Sequence, residues 1–313
     1  MARLVYLGTP EVAVGPLRAL VESGHDIGLV VTGEDKRRGR GRLETANPVK
    51  QAAEQLGLEV SHRVPDVTTV GAELGVVVAF GALIKPDVLA QVPMINLHFS
   101  LLPRWRGAAP VERAILAGDI ETGVCLMAVE EGLDTGGVYA RRTVVVEEGE
   151  TAHRLRSRLA RLGAEMLVEA LSDLPASLGR LQAQQGEATY AAKITPQECE
   201  LDFARSAVEL ERVVRVGRAW TTWDGARLGV LRARVVAPGA GHVPRAGDLG
   251  IAGLTSDQPR AEFHQPRAGL RPGSLTGRVV ATGDGGLELI EVQPAGRRAM
   301  AAEAWLNGLR PSG

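Results

Sequence analysis

The chain has 313 residues, 45% hydrophobic and 23% charged, enough for about two domains of ordinary size and too apolar for wholesale disorder. Its 36 basic and 37 acidic side chains nearly cancel, which excludes a globally basic nucleic-acid binder. The balance is uneven: residues 193–313 hold 16 basic and 13 acidic side chains, net +3, leaving −4 for residues 1–192, so a nucleic-acid contact has to be a local patch.

The first 150 residues alternate short β-branched runs with helical periodicity. Leu4–Leu7 reads as a strand, and Gly8-Thr9-Pro10 leads from it into a helix over Glu11–Ser23. A strand over Ile27–Thr32, a polar stretch and a helix over Asn47–Leu56 follow, with Pro48 in the favoured first turn. Val76–Ala79, Met94–Leu97 and Val124–Val129 continue the strands; Ala108–Ala117 and the Arg-rich Thr151–Leu171 continue the helices. This rhythm predicts an α/β domain with a doubly wound, mostly parallel, Rossmann-like sheet. Residues 173–192 lose periodicity around Pro175, Gly179 and Gly186 and are expected to connect two domains.

Beyond them, a helix over Ser206–Gly217 and strands within Arg227–Val236 and Thr276–Val292 predict a second, smaller β-barrel of OB-like kind. Residues 238–275, with five Pro and seven Gly, are expected as a long insertion between barrel strands. The expected domains are 1–190 and 191–313. Cys125 and Cys199 make no C-x-x-C or disulfide framework; no leader is expected, and no run of ~20 apolar residues occurs. A soluble cytoplasmic protein without a membrane partner is expected, with monomer as the default.

Chemistry concentrates in Ile95-Asn96-Leu97-His98-Phe99-Ser100-Leu101-Leu102-Pro103. Asn96 and His98 are two apart, so at a strand end they leave one face, and in open α/β sheets ligands bind beyond the carboxyl ends of strands. An amide donor beside an imidazole suits polarising a carbonyl and moving a proton. The plainer alternative is an Asn capping a turn and a His satisfied by backbone. Asp134, in the turn after strand Val124–Val129, is expected on another loop at the same sheet edge, where its carboxylate fixes the tautomer of His98; a turn Asp bonding its own loop is the alternative. Gly8-Thr9-Pro10 is neither G-x-G-x-x-G nor a phosphate loop, which argues against a dinucleotide dehydrogenase. The six His show no ligand-like clustering, so no metal is expected.

Asn-Leu-His followed by Ser-Leu-Leu-Pro, with Gly-Leu-Asp-Thr-Gly at 132–136, resembles the folate-dependent formyltransferases. Arg104-Trp105-Arg106-Gly107-Ala108-Ala109-Pro110 points to the branch that acts on charged tRNA, and Leu7–Pro10 and Gln293–Met300 agree. Phe99 departs from the pattern, since many members carry Gly there. The resemblance implies transfer of a formyl group from 10-formyltetrahydrofolate to the α-amine of initiator methionyl-tRNA. It gives Asn96 the oxyanion, His98 the protons and Asp134 the orientation of His98. Ser100, Leu101, Leu102 and Pro103 become one wall of the folate site, and Val78, Phe80, Gly81 and Leu83 border the pterin.

The acceptor side rests on charge. Lys36, Arg37, Arg38, Arg40 and Arg42 lie between a strand and a helix in one glycine-punctuated run, matching the loop the family lays on the acceptor stem. Arg40 is the position singled out; a solvated basic loop is the commoner fate of such a run. Arg104 and Arg106, and Arg297 and Arg298 of the second domain, are further expected RNA contacts. Rival readings are a formyltransferase for another amine such as a nucleotide amino sugar, a formyl-folate hydrolase, and an RNA-binding module without catalysis.

Overall fold

A computed structural model of the chain describes residues 2–38, 43–173, 176–177, 179–236 and 271–309. They divide into two compact units, Met1–Lys193 and Ile194–Gly313. The strands of the first unit are β1 (Arg3–Gly8), β2 (Asp26–Val31), β3 (Lys36–Arg38), β4 (Leu43–Thr45), β5 (Val60–Ser61), β6 (Leu74–Val78), β7 (Met94–His98), β8 (Arg106–Gly107), β9 (Glu121–Ala128), β10 (Val138–Val145) and β11 (Tyr190–Ala191). Its helices are α1 (Val14–Glu22), α2 (Pro48–Gln55), α3 (Pro86–Leu89), α4 (Pro110–Ala117) and α5 (Ala152–Ser172).

Seven strands form one Rossmann-like sheet in the order β10-β9-β7-β6-β1-β2-β5. β5, β2, β1, β6 and β7 are parallel, as apolar strands joined by helical crossovers must be, while β9 runs antiparallel to β7 and β10 antiparallel to β9. Sequence reading misses β10, because an edge strand with Arg141 and Arg142 at its centre and one face in solvent carries no buried pattern.

Local chemistry sets the element ends. Asn47 caps α2 by accepting from the Lys50 N–H, with Pro48 in the first turn, and Thr151 caps α5 through the Arg154 N–H. Gly118 closes α4 at φ +74°, a left-handed conformation that glycine adopts without strain. One face of the sheet buries Val5, Leu7, Leu29, Val31, Val77 and Met94 under Val67, Ile84, Val88 and Val92. On α5, Gly163 lies so close to the sheet that an added Cβ would sit 3.0 Å from Leu97 Cδ1. Residues 179–191 belong to this unit and are no free connector: Gln182 bridges Val138, and β11 pairs with β8.

The second unit carries an antiparallel sheet of β12 (Trp220–Trp223), β13 (Ala226–Val236), β14 (Leu275–Thr276), β15 (Val279–Ala281), β16 (Gly286–Pro294) and β17 (Met300–Ala301). Its order is β12-β13-β16-β15-β14, with β17 also on β16, and among the described residues no strand pair closes it into a ring. Helices α6 (Ala207–Val216) and α7 (Ala302–Asn307) accompany it; α6 starts on a reciprocal cap between Ser206 and Glu209 and ends at Gly217, φ +93°. Trp305 is buried and meets Trp223 edge to face at 5.3 Å. The expected insertion at 238–275 lies mostly outside the described residues. No helix among the described residues is long and apolar enough to cross a membrane.

Candidate active site

β7 ends at His98, and its alternation sends Asn96 and His98 to the sheet face that Met94 helps to bury. Across the antiparallel pair, Met127 stands opposite Asn96 and Cys125 opposite His98. Cys125 and Met127, with Leu102 and Val138, form a buried apolar cluster behind the two polar residues. Burial pushes the Cys125 thiol up, so this floor carries no charge.

His98 is 5% exposed, and its Nε2 lies 2.8 Å from the Trp105 carbonyl oxygen. A carbonyl can only accept, so Nε2 carries a proton, and Nδ1 is left facing Asp134 Oδ2 at 3.6 Å. The backbone carbonyl therefore fixes the tautomer, a partner that sequence reading missed and assigned to Asp134. Asn96 is half-buried, and among the described residues its carboxamide makes no hydrogen bond.

Asp134 reaches the site by a route different from the expected one. Because β9 is antiparallel to β7, Ala128 at its end pairs with Ile95 at the start of β7, at the sheet edge away from His98. Residues 129–137 nevertheless carry the Asp134 carboxylate back to the imidazole. This return is fixed at several points: Val129 N–H donates to Met94 O, Ala128 N–H to Gly137 O, and Gly107 N–H to Asp134 Oδ2 at 2.7 Å. Gly136 packs so closely on the Ala128 carbonyl that no side chain fits. Asp134 itself has φ +52°, and Ala79 (+48°) and Trp105 (+64°) are also left-handed. Strained backbone of this kind concentrates at functional sites. Asp134 thus bonds a different loop, not its own turn.

The loop after β7 buries some of the expected residues and gives others partners within this unit. Ser100 and Leu102 are fully buried: Ser100 Oγ donates to Arg104 O at 2.6 Å and Leu102 belongs to the apolar floor, so both support the wall from behind and offer it no surface. Leu101 and Pro103 are partly exposed, and Phe99 is buried. Arg104, expected on RNA, gives Nε and Nη2 to the Asp119 carboxylate at 2.9 and 2.6 Å while lying over the Trp105 ring. Arg106 gives Nε and Nη2 to Gln184 Oε1 at 3.0 and 2.7 Å. Both arginines have partners within this unit, Arg104 staying exposed and Arg106 half-buried.

At the end of β6, Val78 is buried and has only backbone to present, as does the tight turn at Gly8, where a Cβ would meet Ala13 at 2.8 Å. Phe80 packs on the sheet face, Gly81 has open space around it, and Leu83 is 79% exposed. Among the described residues, no hydrogen bond engages the backbone of residues 80–83. Leu133, in the Asp134 loop, is a second exposed leucine.

The basic run opens on β3, which pairs antiparallel with β4. Arg40 and Arg42 lie outside the described residues, as do the side chains of Lys36, Arg37 and Arg38. The base of this strand pair is pinned by Asn47, which donates to Gly33 O and accepts from the buried Thr32, and by Asp35, which accepts from Lys50 Nζ at 2.5 Å. That ion pair holds the Asp35 carboxyl below its ordinary value. In the second unit, Arg297 and Arg298 are exposed. Arg297 lines a groove of about 490 Å³ with Arg218, Arg227 and Trp220, whose indole is covered by Arg227 at 4.4 Å.

Two family descriptions match this chain: Formyl transferase over residues 2–171 and Formyl transferase, C-terminal domain, over residues 193–310. The chain belongs to the formyl transferase family. A methionyl-tRNA formyltransferase of Halorhodospira halophila is 42% identical, over 99% of this chain and 97% of that protein. Among solved structures, methionyl-tRNA formyltransferase from Clostridium thermocellum superposes with TM-score 0.56 at 18% identity, over 75% of this chain and 93% of that one. HypX from Aquifex aeolicus, solved in complex with tetrahydrofolic acid, gives TM-score 0.61 at 16% identity; 98% of this formyl transferase chain matches 47% of HypX. These two structures bear on the fold. Residues 172–192, between the two family matches, hold Gln184 and β11.

Proposed function

We propose that this formyl transferase moves the formyl group of 10-formyltetrahydrofolate onto the α-amine of initiator methionyl-tRNA, in the cytoplasm, as a step in starting translation. The observation that carries the reading is the convergence of a free carboxamide on Asn96, an imidazole whose Nδ1 is left available, and the Asp134 carboxylate 3.6 Å from it. The near-full-length relative named methionyl-tRNA formyltransferase supports the acceptor, and HypX with tetrahydrofolic acid supports the donor. Both catalytic and RNA-facing residues lie on one chain, so a monomer suffices.

The residues fit a folate. A pterin presents a flat ring with hydrogen-bonding edges; residues 80–83 offer unengaged backbone groups, and Leu83 and Leu133 offer exposed apolar surface. The bound folate supplies the formyl carbon. Asn96 donates to the formyl oxygen as negative charge gathers there, a role worth about 3–4 kcal/mol in comparable sites. His98 takes the proton the attacking amine sheds and returns one to the departing nitrogen through Nδ1, while Trp105 O keeps Nε2 protonated throughout. Asp134 balances the imidazolium.

The basic run of Lys36–Arg38, with Arg40 and Arg42, takes the acceptor end of the tRNA. The second unit, in our reading an OB-like barrel over 194–313, meets the phosphate backbone with Arg297, Arg298, Arg218 and Arg227. Arg104 and Arg106 also support the site through their carboxylate and amide partners, and the exposed Arg104 stays available to RNA.

The test offers the protein formyl-folate with charged initiator tRNA, with a nucleotide amino sugar, and with water only. Transfer to the tRNA, falling steeply between 50 and 200 mM salt and at least tenfold in kcat/KM for Arg40→Ala, is the expected result. Preferential transfer to the sugar, or release of formate only, would replace the reading with one of its rivals.

A further inference from the structure

Asp134 sits in a left-handed conformation on a loop that starts at the far sheet edge, so something must hold it against His98. Its carboxylate is held by the Gly107 N–H, and its backbone by Gln184: Gln184 Nε2 donates to Asp134 O and to Gly136 O, both at 2.8 Å. Gln184 Oε1 accepts two N–H groups of Arg106, which fixes the orientation of the amide, because a guanidinium can only donate. Gln184 is the one member of residues 181–187 that is not exposed. Arg106 is anchored in turn, since β8 pairs with β11 and Arg106 N–H donates to Thr189 O.

We propose that Gln184, oriented by Arg106, is a positioning residue for formyl transfer: it clamps the Asp134 loop so that the carboxylate stays at the His98 imidazole. The proposal rests on the function proposed above. It assigns a catalytic purpose to the 172–192 stretch, which neither family match covers. Neighbouring Gln182 and Gln185 are the same residue type, so nothing in the sequence singles out Gln184. What does is that all four of its hydrogen bonds run to the site, two from the β8 guanidinium and two to the Asp134 loop.

Gln184→Glu is the sharp perturbation. It keeps the shape and the contact with Arg106 but turns the donor that faces two carbonyl oxygens into an acceptor, pushing the loop away. Expected in the full-length enzyme are a 10- to 100-fold fall in kcat, KM for tRNA and for formyl-folate within threefold of wild type, and faster amide hydrogen exchange in residues 130–137. In an Asp134→Asn background the same change should cost less than threefold further, because the clamp then holds a group already disabled. Gln184→Met, which lacks both donor and acceptor, repeats the measurement should Gln184→Glu lower the melting temperature. Wild-type kcat, unchanged exchange, or a loss that multiplies fully with Asp134→Asn would overturn the proposal. A wild-type enzyme that moves no formyl group at all would instead overturn the function, and the exchange measurement would still decide whether Gln184 holds the loop.

Discussion

Replacing Asp134 by Asn removes one charge and little else. The Asn oxygen can still accept from Gly107 N–H, and the backbone carbonyl still accepts from Gln184, so the loop stays in place. What disappears is the attraction between the carboxylate and a cationic His98 at 3.6 Å, between side chains that are 13% and 6% exposed. At an effective dielectric near 20, two unit charges at that distance attract by about 4.6 kcal/mol. Solvation of the ring returns part of this, leaving about 3–4 kcal/mol at the transition state, or roughly 10²–10³-fold in rate. The assay is steady-state transfer from formyl-folate to charged initiator tRNA, with circular dichroism melting as the control for folding. We expect kcat to fall by that factor at unchanged melting temperature. A fall of less than threefold would mean that His98 works without a counter-charge, and the roles assigned to the pair would be wrong.

Two further outcomes test other parts of the molecule. Asn47→Ala removes the α2 cap and the bonds to Gly33 and Thr32 at the base of the β3–β4 pair; it should cost about 1–2 kcal/mol in stability and raise KM for tRNA several-fold, while titration with formyl-folate is unaffected. Glu209 is pulled from the usual 4.5 down to about 2 by hydrogen bonds from Ser206 and the nearby Arg205, so the folded state prefers its ionised form. That contribution is fully present above pH 4.5 and is lost as pH falls through about 2; Glu209→Gln should flatten the acid limb of the melting-temperature profile across that window, and an identical slope would show the cap is not what titrates.

Much of the first unit was legible in the sequence because central strands such as β6 are buried throughout and helices α2 and α5 carry side-chain caps. Val76–Ala79 and Met94–Leu97 have no polar residue to blur them except Asn96, whose presence in an apolar strand was itself the signal. The site residues followed from the Asn-x-His alternation together with the family resemblance. Strand direction could not be read this way: an antiparallel β9 has the same apolar pattern as a parallel one, so Asp134 was expected at the correct place for an incorrect reason. Trp105 O and Gly107 N–H act through backbone, which any residue type supplies, and Gln184 looks like its neighbours. Arg104 and Arg106 illustrate the converse: a cation in a motif announces charge, but not that Asp119 and Gln184 are its partners in the fold.

The central claim is that Asn96 and His98 do chemistry on a formyl group brought by folate and delivered to an aminoacyl-tRNA. The most direct measurement is a single-turnover experiment with formyl-labelled folate and charged initiator methionyl-tRNA, comparing wild type with Asn96→Ala and His98→Ala at saturating concentrations of both substrates. The account predicts label on the methionine α-amine with wild type, transfer slowed by at least 10² in each variant, and folate and tRNA affinities within a few-fold of wild type. Label reaching the tRNA at near wild-type rate in either variant would contradict it.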